Sequence, residues 1–148
     1  MENLLEFSSG TIDITPTLPI ILSGYFTRKE PFDGISDTIE ANIICLFQNK
    51  KKQVFVSADT FFCGNELKEK IMVGLKEKFD LNIGDEELLL TASHTHFAPT
   101  LDSRKSPVNF PNIKYIDFVT SNLIDAIART LQKEKIIVEM VYQKLLFP

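Results

Sequence analysis

The chain has 148 residues, of which 44% are apolar and 24% charged. That is about one domain's worth of sequence, with enough apolar mass to bury a core, so disorder through low hydrophobicity is excluded. Sixteen basic and twenty acidic side chains leave a formal charge of −4, which argues against a nucleic-acid partner.

The opening MENLLEFSSG carries acids where a secretory signal would carry a basic n-region, so a cytoplasmic location is the expectation. No stretch approaches the roughly 20 apolar residues of a membrane span. The segment Gly10 to Pro16 alternates apolar and polar residues and reads as a short strand ending in a turn. Leu18 to Tyr25 holds Pro19 and Gly24 and reads as irregular extended chain, and Arg28 to Asp37 as a loop. Ile39 to Phe47 is a strand, Asn49 to Lys52 a polar turn, and Val54 to Ala58 a second strand. The second strand is apolar enough to predict helices on both of its faces.

Asn65 is a candidate N-cap for a helix that places Leu67, Ile71, Leu75 and Phe79 at four-residue steps. Gly74 costs that helix about 1 kcal/mol relative to alanine, which predicts a close packing contact there. Leu88 to Ala92 is a third strand, and strand–helix–strand over 54–92 is a βαβ unit with parallel strands. A loop from Ser93 to Asn112 is long enough to suggest function or motion. Pro111 suits the first turn of a second helix, carried by Ile113, Ile116, Val119, Leu123, Ile127 and Leu131. Ile136 to Val141 is a final β-like run. The expected fold is α/β, a mixed or mostly parallel sheet with flanking helices. Cys45 and Cys63 lie in or beside strand-like runs without CxxC spacing and read as free thiols.

Only two histidines occur, His94 and His96, and they sit just past the carboxyl end of the third strand. Ligands of open α/β sheets bind at such ends. In extended chain, residues i and i+2 point the same way, so both imidazoles can face one cleft. An H-x-H pair offers either two metal ligands or one ligand and a proton-transfer group. The metallo-β-lactamase pattern needs Asp-His two residues further on, and Phe97-Ala98-Pro99 stands there instead. Asp13 and Asp59 read as structural hydrogen-bonding or turn aspartates. Ser57 and Ser93 lack a G-x-S-x-G elbow, and Lys50 to Lys52 read as a solvated turn.

Five separated segments resemble one family, the neutral/alkaline non-lysosomal ceramidases. They are Asp13-Ile14-Thr15-Pro16, Leu22-Ser23-Gly24-Tyr25, Gly34-Ile35-Ser36-Asp37, Val54 to Asp59, and Leu88 to His96 followed by Ala98-Pro99. Their order and spacing agree over about residues 10–100, and past Glu139 the resemblance stops. The resemblance implies a zinc-dependent amidase that splits the N-acyl amide of ceramide into sphingosine and a fatty acid. It implies that His94 is a zinc ligand. His96 would contact the substrate or stabilise the oxyanion, and Gly24 would lie beside the site through its backbone.

Phe97-Ala98 departs from the family's Ser-Gly at that point. The family's other zinc ligands, a second histidine, a glutamate and a tyrosine, fall downstream of residue 148. The chain therefore reads as the N-terminal part, residues 1–148, of a ceramidase-like hydrolase domain with an incomplete zinc site. Two further readings stand beside it: a non-catalytic domain without a working metal site, and a related metal-dependent hydrolase of another amide or ester. The expected partners are a ceramide-like lipid amide and a second copy of the chain paired through an exposed sheet edge.

Overall fold

The computed structural model of the chain describes residues 4–144. The closing Leu-Leu-Phe-Pro and the first three residues lie outside the described residues. Among the described residues, five strands and two α-helices are laid down in the order β1 (Leu5–Asp13), β2 (Glu40–Gln48), β3 (Lys51–Ala58), α1 (Asn65–Phe79), β4 (Leu88–Ala92), α2 (Ile113–Gln132) and β5 (Ile136–Val138), with a 3-10 turn at Asp85–Glu87 before β4. They form one mixed sheet ordered β4-β3-β2-β1-β5. Only the β3–β4 pairing is parallel, with Val56 opposite Leu90. The other three are antiparallel.

The βαβ unit forms as its periodicity predicts. β2 and β3 join through Asn49 and Lys50, both at positive φ (51° and 65°). This is the primed turn whose twist matches the strands it connects. β1 starts five residues earlier than its alternation suggests, because its N-terminal half pairs with β2 on one side and β5 on the other. β5 stops at Val138 rather than Val141.

Both helix starts differ from expectation by a residue or two. Gly64 occupies the cap of α1, and Asn65 is its first helical residue. Asn112, rather than Pro111, opens α2, where its side-chain oxygen accepts the Tyr115 N–H at 3.1 Å. That bond satisfies one of the amides that a helix start leaves free.

β3 is not covered on both faces. Val54, Val56 and Ala58 are buried while Ser57 is exposed, and β2 alternates likewise through Ala41, Ile43 and Cys45. α2 lies on that inner face, where Ser8 Oγ donates to the Thr130 carbonyl at 2.7 Å. α1 packs beside it, and the close contact foreseen at Gly74 is made with Ile124 of α2. Val119, Leu123 and Ile127 fill the layer between helix and sheet. The opposite face carries Ile44 and Leu89, 41% and 48% exposed. Cys45 and Cys63 are free thiols.

Candidate functional site

The two parallel strands end side by side, and the chain beyond each is tied to the other. Ser93 N donates to the Ala58 carbonyl at 3.0 Å, extending the ladder by one residue. Beyond β3, Thr60 Oγ1 donates to the Pro99 carbonyl at 2.7 Å. Leu101 N returns the connection to the Phe62 carbonyl at 2.8 Å. The long loop is thus pinned rather than loose: Ala98, Thr100, Leu101 and Asp102 are all buried. Arg104 holds the Asp102 carboxylate through Nε at 3.0 Å to each oxygen. The guanidinium keeps that carboxyl below the usual carboxylate range against the opposing effect of burial.

His94 and His96 come together here, with ring centroids 5.4 Å apart. Simple strand alternation does not produce the pairing. His94 adopts φ +58°, a left-handed conformation uncommon for a side-chain-bearing residue. The kink swings its imidazole under the segment beyond β3. There Nδ1 lies 2.9 Å from the Phe61 carbonyl oxygen, and the ring stacks on Phe61 at 4.7 Å. A carbonyl only accepts, so Nδ1 carries a proton, and in the neutral ring that leaves the lone pair on Nε2. That is how a metal-binding imidazole is commonly prepared.

His96 is held by rings and by a gap. Tyr25 meets it edge-on at 4.9 Å and Phe61 at 5.0 Å. Gly24 has φ +110°, and a Cβ there would come within 2.6 Å of the His96 ring. Only glycine leaves room for that imidazole and accepts that backbone angle. The Gly24 N–H donates to the Val108 carbonyl at 2.7 Å, and its missing side chain leaves space for the ring.

Beside the pair, Thr95 and Phe97 wall a cleft of about 580 Å³. Leu22, Phe32 and Ile35 give it an apolar lining, and Asp37 and Asp59 stand at it. Asp59 also accepts the Glu40 N–H at 3.3 Å, and Asp13 caps the Thr15 N–H at 2.7 Å, which are the structural roles read for both. Burial and the neighbouring Asp102 push the Cys63 thiol up to about 12, which disfavours its thiolate.

Among the described residues, His94 is the histidine whose ring nitrogen meets a backbone carbonyl. Among the described residues no group of three or more histidine, cysteine or acidic side chains could hold a metal. The described residues therefore fit one ligand of a zinc ion and not a complete set. Sequence reasoning missed Phe61, whose contribution to His94 is a backbone carbonyl that no motif records. It also missed the loop contacts of Tyr25 and Arg28, which arise from residues 68 and more positions away.

A search of the curated proteins finds no match. Among solved structures, the chain is similar to neutral ceramidase from Pseudomonas aeruginosa, with a TM-score of 0.70 and 20% identity over 89% of this chain. It is equally similar to a ceramidase complexed with C2, with a TM-score of 0.72 and 20% identity over 88% of this chain. In both cases it spans 21% of the length of the solved chain. Residues 6–139 match the family described as neutral/alkaline non-lysosomal ceramidase, N-terminal, and the match ends where the sequence resemblance does. This chain belongs to the neutral/alkaline non-lysosomal ceramidase family, whose N-terminal region it matches.

Proposed function

We propose that residues 1–148 are the N-terminal portion of a ceramidase-type amide hydrolase and carry one side of its active site. The observation that carries this reading is His94: Nδ1 is committed to the Phe61 carbonyl at 2.9 Å, which leaves Nε2 of the neutral ring as the nitrogen open to a metal. In this reading His94 is a zinc ligand. When bound, zinc supplies Lewis-acid polarisation of an amide carbonyl. His96, 5.4 Å away ring to ring, contacts the substrate and stabilises the developing oxyanion. Gly24 shapes the substrate side by admitting the His96 imidazole.

The neighbouring cleft supports a lipid amide as substrate, because its walls are mainly apolar side chains while Asp37 and Asp59 can accept hydrogen bonds from a polar head. The remaining zinc ligands come from outside the described residues, from further chain or from a partner.

The absence of a metal-binding group of three among the described residues favours a second reading for the chain taken by itself: a folded domain that binds zinc weakly and does not turn over. Equilibrium dialysis of the purified chain against zinc separates the two. Stoichiometric zinc that is lost in His94→Ala supports a working site. No zinc retained at neutral pH overturns catalysis by this chain alone. Hydrolysis of an N-acyl lipid amide by a longer protein containing this segment, abolished by His94→Ala, is the expected result for the hydrolase reading.

A further inference from the structure

His96 lies four residues past the end of β4, in a stretch with no helix or strand of its own. Something other than regular structure must fix its imidazole against Tyr25 and Gly24. The loop from Ser23 to Arg28 does so in part, since Ser23 N donates to the Ala98 carbonyl at 3.3 Å and Ser23 Oγ accepts from Phe110 N at 3.0 Å. These bonds hold the loop near residues 98 and 110 and leave His96 itself untouched.

The hydrogen bond to the His96 backbone comes from Arg28. Its Nη1 donates to the His96 carbonyl at 2.7 Å and to the Ser23 carbonyl at 3.1 Å. One nitrogen therefore bridges the residue that carries the imidazole and the residue just before the glycine that makes room for it. The approach is prepared locally. Arg28 N donates to the Tyr25 carbonyl at 3.1 Å, closing a turn that brings the side chain back over its own loop. The flat guanidinium then lies 5.1 Å from the centre of the Tyr25 ring and 6.0 Å from that of Phe97. Tyr25 is the ring that meets His96 edge-on. Among the described residues, no ion pair draws the charge elsewhere. A planar fork can stack with its face and donate with its edge at once, whereas an ammonium can only offer point donors.

We propose that Arg28 is the positioning residue for His96, locking the Gly24–Tyr25 loop to the His96 backbone and so setting the ring that this backbone carries, while the Phe61 carbonyl holds the His94 imidazole. Its importance for catalysis rests on the hydrolase reading above, and its geometry does not. Two histidines make the test direct, because each imidazole gives its own carbon–proton correlations in NMR of the isotope-labelled chain at one fixed pH, assigned through His94→Ala. In the wild type, nuclear Overhauser contacts should join His96 to Tyr25 and His94 to Phe61.

In Arg28→Gln the His96–Tyr25 contact should be lost and the His96 signals should move, with the His94 signals and the His94–Phe61 contact retained. Arg28→Lys should restore part of the His96–Tyr25 contact. Unchanged His96 signals in Arg28→Gln would overturn the proposal. Equal displacement of both histidines in Arg28→Gln would also overturn it, since that marks a merely structural residue. If Arg28→Gln does not fold, Arg28→Lys decides alone, by a weakened His96–Tyr25 contact against an intact His94–Phe61 contact. The readout involves neither zinc nor substrate, so its failure is distinct from failure of the proposed activity.

Discussion

The helix–sheet body and the loops at the carboxyl ends of β3 and β4 are held together by different physics. The body is apolar contact: Ile43, Val54, Leu75, Val119 and Ile127 are fully buried and gain stability from area removed from water, whatever the precise partner. The site adds to its ring contacts single directional bonds to backbone oxygens, one from His94 to Phe61 and two from Arg28. Burial is forgiving of small shifts and expensive to lose. Directional bonds at a half-exposed loop contribute less to stability and decide where two imidazoles point.

Ile43→Ala should cost about 2–5 kcal/mol in urea denaturation, the usual range for emptying a core site, with the two histidine environments unchanged below the transition. A loss of the His94–His96 arrangement before global unfolding would show that the two regions are not separable.

Gly24→Ala is the counterpart at the site. A side chain at φ +110° facing the His96 ring should cost about 1–3 kcal/mol and displace His96 while leaving His94 on Phe61. Histidine NMR and thermal melting on one sample check both halves of that statement.

Asn112→Ala removes the cap of α2, which carries much of the core, and should cost about 1 kcal/mol. Its effect belongs wholly to the body, so the histidine signals should not move.

The smallest effect is one of pH. Arg104 holds the Asp102 carboxyl below the ordinary aspartate value of 3.8, so this pair adds stability above that pH. The contribution should fade as pH drops through the lowered value. Asp13, Glu66, Asp80 and Glu87 are lowered as well and act in the same direction. Asp102→Asn should therefore flatten the acid limb of a stability–pH curve without abolishing it. An unaltered acid limb would show that the pair does not stabilise the loop.

Much of the fold was legible because it follows from period. The four-residue steps of Leu67, Ile71 and Leu75 can bury one helical stripe, and the strand–helix–strand order forces a parallel β3–β4 pair. Reading β3 as covered on both faces failed for a definite reason. Phe55, between two buried valines, makes the segment look apolar throughout, yet it points to the face that neither helix covers. The strand-end histidines and the glycine beside them were legible as motif residues.

By itself, then, the sequence determined the α/β class, the parallel unit, the family and the place where the chain's two histidines sit. Tertiary structure alone decided how they are held. A left-handed kink at His94, a carbonyl at Phe61 and a guanidinium bridging Ser23 to His96 are not composition or spacing. They arise because packing α2 and α1 on one face of the sheet brings three loops, distant in sequence, to the same end of two strands. There, backbone oxygens of the loops become the groups that orient side chains.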